Sequence, residues 1–303
     1  MDTLIVITGP TGVGKSNLAI QVAKALSTEI LSADSRQVFK GIPITTAAPS
    51  EQQLKEAVHH FVGTLSLDSY FSASCFEQEA LGLLPEVFER CGGVAVVCGG
   101  SMMYIDALCK GLDDIPTISD GVRAEVTEMA VSKGPDFLLE TLDRLDPEYG
   151  RIVDRNNIKR VVHAIEICME SGTTYTSLRG RKRTERPFRI LKFMLTAPRE
   201  ILFNRINTRT LDMLDQGMID EVRSVSHLRH LNSLNTVGFK EIFRYLDGEW
   251  TLETAIARLQ KNTRVYAKKQ LTWFARDREI DTIDITESSP LERILSRFRT
   301  INF

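Results

Sequence analysis

The feature that most constrains this chain is a glycine-rich segment that directly follows a short apolar run near the N-terminus. The run, residues 4–8, is rich in β-branched side chains, which is typical of a buried parallel strand. The next eight residues fit the pattern G-x-x-x-x-G-K-[ST], and an amphipathic helical pattern covers about residues 17–26. This order of strand, loop and helix predicts a phosphate-binding loop in a parallel α/β sheet.

The loop has the side chains that phosphate binding requires. Its residues are Gly9, Pro10, Thr11, Gly12, Val13, Gly14, Lys15 and Ser16. The glycines allow backbone amides to turn towards phosphate oxygens, and the N-terminus of the following helix adds the positive end of its dipole. Lys15 supplies a positive charge, and the Ser16 hydroxyl is placed to ligate Mg²⁺. The alternative, a glycine-rich turn with an incidental lysine, is disfavoured by the flanking strand and helix.

Two further strand ends bear on the reaction. A strand is predicted at residues 94–98, but Gly99, Gly100 and Ser101 follow it where a nucleotide hydrolase or kinase usually has a metal-organising aspartate. A strand at residues 29–33 ends at Asp34, which is expected to face the same crevice as the phosphate loop. From spacing alone, Asp34 is either a functional carboxylate or an ordinary turn residue.

Composition excludes several classes of protein. The 303 residues are 43% hydrophobic and 26% charged, which is ordinary for a globular chain, and no apolar run is long enough to span a membrane. The N-terminus does not resemble a signal peptide. Five cysteines without a C-x-x-C pair favour reduced thiols in a cytoplasmic protein and argue against a zinc site. A net charge of −2 means that any nucleic-acid contact must come from local patches.

The middle of the chain interrupts the α/β pattern. Helical spacing covers residues 123–133, 137–145 and 157–171, and no strand-like run separates them. We therefore expect a core formed by residues 1–112 and 188–303, with a helical insertion at 113–187. The insertion ends in a basic run, which is either a phosphate contact or a solvated linker; the run is Arg179, Gly180, Arg181, Lys182 and Arg183. A strand is expected at 189–196, and the arginines after it either close over a diphosphate or form a surface face.

A long helix is predicted at residues 251–278. Its packed stripe is Ile256, Leu259, Thr263, Tyr266, Gln270 and Trp273, and its basic stripe is Arg258, Lys261, Arg264 and Lys268. The basic face is either an RNA-backbone contact or a solvated surface.

Taken together, these segments resemble the tRNA dimethylallyltransferases, also called tRNA isopentenyltransferases, of the bacterial type without a zinc finger. The family pattern G-P-T-x-x-G-K-[ST] matches residues 9–16, and S-x-D-S-x-Q-x-Y-x-G resembles residues 32–41. The patterns G-G-T-x-x-Y, G-Y-K-E and T-R-x-Y-A-K-R-Q-x-T-W resemble residues 99–104, 238–241 and 263–273. The likeness covers nearly the whole chain.

The resemblance implies a specific reaction. A dimethylallyl group would pass from dimethylallyl diphosphate to the exocyclic amine of the adenosine 3′ of the anticodon, in tRNAs that read codons beginning with U. The loop would then hold the donor's diphosphate with Mg²⁺, and Asp34 would act on the amine. A flipped adenine and the anticodon stem-loop would be contacted by Asp34, Ser35, Arg36, Gln37, Ser101, Arg123, Lys159, Arg160, His163, Lys261, Arg264, Lys268 and Lys269. A monomer suits a protein that wraps one anticodon arm.

The chain departs from the family pattern at several positions. Phe39 and Phe239 replace tyrosines, the usual G-T-A-K-P reads Thr45, Thr46, Ala47, Ala48 and Pro49, and Asn157 and His163 replace an aspartate and an arginine. These changes fall mainly where tRNA would be held, so we expect the chemistry to survive and tRNA affinity or preference to differ. Two rivals stay open: a small-molecule P-loop kinase, and a tRNA-binding relative that has lost catalysis.

Overall fold

The chain folds into two compact units. The structure is a computed structural model, and it describes residues 1–113, 115–180, 184–286 and 289–302. The first unit comprises Met1–Cys109 and Arg186–Phe303, and the second comprises Lys110–Glu185. The bounds expected from the sequence for the second unit are 113–187.

The first unit is built on one parallel sheet. Among the described residues its strands are β1 (Thr3–Thr8), β2 (Ile30–Ala33), β3 (His59–His60), β4 (Val94–Gly99), β5 (Arg189–Thr196) and β6 (Ile280–Asp284). They lie in the order β3-β2-β4-β1-β5-β6, and every neighbouring pair is parallel. All residues of β1, β2 and β4 are buried, as expected for parallel strands covered on both faces. The predicted α/β fold with a P-loop is confirmed.

The register of the central strands sets the position of the functional residues. Ile7 of β1 pairs with Cys98 of β4, and Ala33 of β2 pairs with Gly99. The carboxyl ends of β1, β2 and β4 therefore meet at one edge of the sheet. The phosphate loop, Asp34 and Ser101 all emerge from that edge, which is where ligands bind in open parallel sheets.

Helices cover both faces of this sheet. They are α1 (Lys15–Leu26), α2 (Glu51–Glu56), α3 (Ala73–Arg90), α4 (Met102–Lys110), then, after the second unit, α9 (Arg199–Asp215), α10 (Met218–Ser224), α11 (Phe239–Leu246), α12 (Leu252–Phe274) and α13 (Pro290–Asn302). One apolar cluster includes Leu4, Val6, Phe76 and Phe239, and the other includes Ile5, Ile7, Leu18 and Phe193. Alternate residues of β1 thus pack into opposite cores.

The expected C-terminal helix is four residues too long. The sequence pattern extends it to Arg278, whereas α12 ends at Phe274. The chain has to turn there because Ile280 pairs with Lys192 to begin β6, a strand that the sequence pattern did not predict. The Lys192 ammonium donates hydrogen bonds to Asp277 at 2.7 Å and Glu279 at 2.9 Å across this turn.

The described residues of the second unit form helices. Its helices are α5 (Asp120–Leu145), α6 (Pro147–Ile152), α7 (Ile158–Ser171) and α8 (Tyr175–Leu178), and its described residues contain no strand. Helix α5 is interrupted at Gly134, whose φ of 77° and ψ of −179° are not helical, so it consists of two helical segments on either side of this residue. The core of the unit is Val126, Leu138, Leu142, Tyr149, Val153, Val161, Ala164 and Ile165.

No helix among the described residues is long and apolar enough to cross a membrane.

Candidate active site

The phosphate loop has the strained backbone that its glycines permit. Gly9 has φ 136°, and a Cβ there would come within 2.4 Å of the Leu195 carbonyl oxygen, so a larger residue does not fit. Gly14 has φ 105° and caps the N-terminus of α1, whose first residue is Lys15. The loop amides and the helix terminus are therefore arranged to receive an anion.

Lys15 is held over the loop in a desolvated position. Its Nζ donates a hydrogen bond to the Pro10 carbonyl at 2.8 Å. Burial lowers the pKa of Lys15 to about 8, and the positive charge of Arg209 adds to the shift, while Cys98 and Asp34 oppose it. An anion bound in the loop would favour the charged lysine.

Asp34 is fixed by the backbone that follows it. Its Oδ1 accepts hydrogen bonds from the amides of Arg36 at 2.9 Å and Gln37 at 3.3 Å. Its Oδ2 has no hydrogen-bond partner among the described residues. One oxygen thus orients the carboxylate, and the other is left to accept a hydrogen bond from a ligand.

A cleft with two lobes opens at this edge of the sheet. The Lys15 lobe, with a cavity volume of about 100 Å³, is lined by residues that include Lys15, Ser16, His59, Cys98 and Gln270. The Ser101 lobe, with a cavity volume of about 260 Å³, is lined by residues that include Ser35, Arg36, Thr45, Ser101 and Thr263. Both lobes share Thr11, Asp34, Thr46, Arg209 and Tyr266. Asp34 therefore faces the phosphate loop on one side and a second, larger space on the other.

Two arginines of α9 reach the phosphate loop. Arg209 donates a hydrogen bond from Nη2 to the Thr11 hydroxyl at 2.7 Å, and Arg205 donates one from Nη1 to the Val13 carbonyl at 3.2 Å. Burial lowers the pKa of Arg209, and Asp34 opposes the shift. Arg199 instead stacks over the Phe203 ring at 5.0 Å. Of the two interpretations that the sequence left open, Arg205 and Arg209 fit closure over an anion.

Gln270 joins the phosphate loop to the carboxyl end of strand β4. Its Oε1 accepts a hydrogen bond from the Thr11 amide at 2.8 Å, and its Nε2 donates one to the Gly100 carbonyl at 2.8 Å. The residue is 2% exposed. The sequence pattern placed Gln270 in a packed stripe and gave it no role in the site. The one sequence signal for such a role was a glutamine in a stripe of residues predicted to be packed, because a buried side-chain amide needs hydrogen-bond partners.

Tyr266 was predicted to be packed in the same stripe of the C-terminal helix, but it is partly exposed in the cleft. It is 36% exposed, and it lines both lobes of the cleft. Burial of its phenol in the cleft raises its pKa to about 12, and the negative charge of Asp34 contributes. The shift favours the neutral hydroxyl, the form that can donate a hydrogen bond.

The residues around the Ser101 lobe form their own network. The Ser35 amide donates a hydrogen bond to Ser101 Oγ at 2.9 Å. Burial lowers the pKa of Arg36, a residue that lines the lobe, and Tyr104 and Asp34 oppose the shift. The side-chain Nε2 of Gln37 donates hydrogen bonds to the backbone carbonyls of Thr46 at 3.2 Å and Ala47 at 2.9 Å. Gln37 thus holds the segment 42–49 against the cleft.

The predicted basic residues of α12 differ in exposure. Lys261, Lys268 and Lys269 are exposed, as an RNA contact requires. Arg264 is half-buried, and its Nη1 donates a hydrogen bond to Asn207 Oδ1 at 2.6 Å, which ties α12 to α9.

The other predicted RNA contacts belong to the second unit. Arg123 lies on α5, and Lys159, Arg160 and His163 lie on α7, and all four are exposed. His163 Nδ1 is 3.9 Å from Glu166 Oε2. In the predicted basic run, Arg181, Lys182 and Arg183 lie outside the described residues.

Two departures from the family pattern have a structural context. Phe39 and Phe239 are buried in the apolar core of the first unit. Ala48 lines a third opening, beside Gly12, Gly14 and Lys15.

Comparison with known proteins decides the family. The sequence model of the family described as IPP transferase matches residues 37–277. The tRNA dimethylallyltransferase 1 of Bacteroides thetaiotaomicron is 53% identical over 280 residues, covering 92% of this chain and 91% of that protein. The chain belongs to the IPP transferase family. It is accordingly a transferase, and the resemblance inferred from its motifs is confirmed.

Other members of the IPP transferase family align over almost the full length. The tRNA dimethylallyltransferase 2 of Parabacteroides distasonis is 47% identical over 98% of this chain and 99% of that protein. A tRNA isopentenylpyrophosphate transferase from Bacillus halodurans has a TM-score of 0.72 at 32% identity, covering 100% of this chain and 96% of that one. The structure of a eukaryotic dimethylallyltransferase acting on tRNA has a TM-score of 0.83 at 27% identity. The match covers 99% of this chain and 78% of that one.

Proposed function

We propose that this chain transfers a dimethylallyl group from dimethylallyl diphosphate to the exocyclic amine of the adenosine 3′ of the anticodon. The acceptors are tRNAs that read codons beginning with U, and the enzyme acts as a cytoplasmic monomer. The observation that carries the proposal is the position of Asp34, which lines both the Lys15 lobe and the Ser101 lobe. A carboxylate between an anion site and a second pocket suits transfer from a diphosphate to a neutral acceptor.

The Lys15 lobe holds the diphosphate of the donor in this proposal. The loop amides, Lys15 and Arg209 all converge there. As the carbon–oxygen bond of the donor breaks, its electrons move onto the diphosphate oxygen, and these groups stabilise the charge that grows there. Expulsion of diphosphate needs no attacking water, which is consistent with Gly99, Gly100 and Ser101 at the carboxyl end of β4 in place of a carboxylate.

Magnesium fits the loop as an ion shared with the diphosphate. Ser16 Oγ forms no hydrogen bond with the described residues and lines the Lys15 lobe. No group of three or more His, Cys, Asp or Glu side chains among the described residues is arranged to hold a metal. Mg²⁺ keeps several waters and binds substrate phosphates, and in a phosphate loop the Ser or Thr hydroxyl ligates it, so Ser16 would be the protein ligand here. When bound, Mg²⁺ supplies additional positive charge at the leaving group.

The Ser101 lobe receives the adenine. The exocyclic amine is a weak nucleophile because its lone pair is delocalised into the ring. Asp34 Oδ2 accepts a hydrogen bond from the amine and takes its proton as nitrogen bonds to carbon. Ser35, Arg36 and Ser101 line the same lobe and contact the flipped base, and Gln37 supports the lobe wall.

The basic residues outside the cleft hold the anticodon stem-loop. Lys261, Lys268 and Lys269 are exposed on α12, which also carries Gln270 and Tyr266 of the site. In the second unit the corresponding contacts are Arg123, Lys159, Arg160 and His163. Such contacts to phosphates provide affinity and orientation but no sequence information.

The test uses purified protein, Mg²⁺, dimethylallyl diphosphate and an unmodified tRNA with adenosine 3′ of the anticodon. Mass spectrometry of the digest should show one dimethylallyl-adenosine, and a tRNA with guanosine at that position should give none. ATP replaces the donor in a parallel reaction. Phosphate transfer from ATP without prenylated product would support a kinase, and tight tRNA binding without product would support a non-catalytic relative.

A further inference from the structure

Part of the wall of the cleft is a segment without regular secondary structure. This segment, residues 42–49, lies between β2 and α2. Its Thr45 and Thr46 line the Ser101 lobe, and Thr46 also lines the Lys15 lobe. Because the segment belongs to no helix or strand, its position in the wall depends on the groups that bind its backbone amides and carbonyls.

One carboxylate on α10 accepts hydrogen bonds from two consecutive amides of this segment. Glu221 Oε2 accepts from the Ile44 amide at 2.8 Å, and Glu221 Oε1 accepts from the Thr45 amide at 2.7 Å. Thr45 is 7% exposed, so little water reaches it. Hydrogen bonds to a carboxylate are stronger than those between neutral groups. Glu221 therefore satisfies both amides with a single side chain.

Two further contacts hold the same segment. Gln37 Nε2 donates hydrogen bonds to the carbonyls of Thr46 and Ala47. Ala47 has φ 48°, a left-handed conformation that a residue other than glycine keeps only where the surrounding contacts hold it. A Cβ added at Gly238 would come within 2.7 Å of Thr45 Cγ2, so the segment packs closely against the start of α11.

The helices that hold this segment also hold the phosphate loop. Arg205 and Arg209 of α9 donate hydrogen bonds to the loop, and α10, which carries Glu221, directly follows α9 in the chain. Two consecutive helices therefore contact both walls of the cleft. Glu221 is not among the described residues that line either lobe, so any effect it has on a ligand passes through the segment 42–49.

We propose that Glu221 is a positioning residue, which holds Thr45 and Thr46 in the wall of the Ser101 lobe so that the acceptor adenosine fits there. The inference rests on the proposed function, because it takes the occupant of this lobe to be that adenosine. Without the carboxylate, the segment moves to bring its amides to water, and binding of the adenosine has to restore it. The diphosphate contacts the loop, Lys15 and Arg209, so its binding does not depend on Glu221.

The test begins with a substitution that keeps the size of the side chain. Glu221→Gln has one acceptor oxygen, so one of the two backbone amides faces an NH₂ group. The variant should bind a labelled unmodified anticodon stem-loop roughly 5- to 20-fold more weakly in fluorescence anisotropy. Removal of a negative charge would by itself strengthen RNA binding, so the predicted change has the opposite sign to the effect of net charge.

Asp220→Asn is the matched control for the loss of charge. Asp220 is exposed on the same helix and pairs with Arg223. This variant should bind the stem-loop at least as tightly as the native protein does.

A second ligand separates positioning from a general loss of stability. Inorganic pyrophosphate with Mg²⁺ should bind Glu221→Gln within about twofold of its native affinity in calorimetry. Hydrogen exchange at the amides of Ile44 and Thr45 should be faster in the variant. Native stem-loop affinity in Glu221→Gln would overturn the inference, and so would a lower Tm with parallel losses of stem-loop and pyrophosphate affinity.

These binding assays need no turnover. A native protein that binds the stem-loop but makes no product counts against the proposed function, while the comparison of affinities still decides the role of Glu221.

Discussion

The buried side-chain amide of Gln270 accepts a hydrogen bond from the backbone amide of Thr11 at 2.8 Å, which fixes the phosphate loop to helix α12. The same side chain donates to the Gly100 carbonyl at the end of β4. One residue thus connects the loop that would hold the donor to the strand end that leads into Ser101. The helix that carries it also presents the exposed lysines.

Replacing Gln270 with leucine should therefore affect both stability and donor binding. The substitution removes the partner of the Thr11 amide and leaves the buried Gly100 carbonyl unpaired by this side chain, which should lower the free energy of unfolding by about 1 to 3 kcal/mol. The KM for dimethylallyl diphosphate should rise because the loop is no longer held. Chemical denaturation and steady-state kinetics measure the two effects. Gln260→Leu on the same helix is the control, since Gln260 contacts Asn207 and not the loop. A stable Gln270→Leu variant with native KM would refute this role.

Donor binding should weaken as pH rises through the pKa of Lys15, which burial lowers to about 8. The lysine is charged below that pH and neutral above it, and only the charged form attracts the diphosphate. The dissociation constant should rise by up to about tenfold between pH 8 and pH 9, and binding near pH 8 should take up a proton. Isothermal titration calorimetry in buffers of different ionisation enthalpy measures both. Lys15→Arg, which stays charged, should remove the slope. Affinity that is constant from pH 7 to pH 9 in the native protein would contradict this explanation.

Arg209 should contribute mainly to the transition state. It lines both lobes and donates to the Thr11 hydroxyl, so it is placed to stabilise charge on the departing diphosphate. Arg209→Met should lower kcat/KM by roughly 100-fold. Arg199→Met is the matched control on the same helix, because Arg199 stacks on Phe203 away from the loop. Equal losses in the two variants would mean that Arg209 acts through the stability of α9 and not at the diphosphate.

Exposed lysines of α12 should determine part of the salt dependence of tRNA binding. Replacing Lys261 and Lys268 with alanine should weaken binding for every tRNA tested. Each lost phosphate contact should reduce the slope of log K against log salt by roughly 0.7 to 0.9. Filter binding at several salt concentrations gives the slopes, with Lys55→Ala on α2 as the exposed-lysine control. An unchanged slope would mean that Lys261 and Lys268 lie on a solvated surface and do not contact tRNA phosphates.

The sequence predicted the site residues that directly follow a strand. It did not predict the contacts between site residues that lie far apart in the sequence. The phosphate loop and Asp34 each follow a short apolar strand, so their position depends on neighbouring residues and a general rule for parallel sheets. The contacts of Thr11 with Arg209 and Gln270 join residues 198 and 259 positions apart. No periodicity specifies such a pair.

The strands show the same contrast between what the local sequence predicts and what depends on tertiary contacts. The strands at residues 94–98 and 189–196 are apolar runs that the pattern locates to within one residue. Strand β6 was missed because only two of its five residues, Ile280 and Ile283, are apolar, and because it begins directly after a helical pattern. Its identity comes from pairing with β5, which is a tertiary effect.

The most direct test of the central claim is the rate of prenyl transfer in Asp34→Asn under single-turnover conditions, with donor and tRNA saturating. Asparagine keeps an oxygen for the amides of Arg36 and Gln37, so the site should stay folded. Asp215→Asn, an exposed position at the end of α9, is the control. If Asp34 takes the proton of the amine, its variant should transfer the group about 100-fold more slowly or worse, with tRNA affinity retained. A near-native rate in Asp34→Asn would contradict the proposed mechanism.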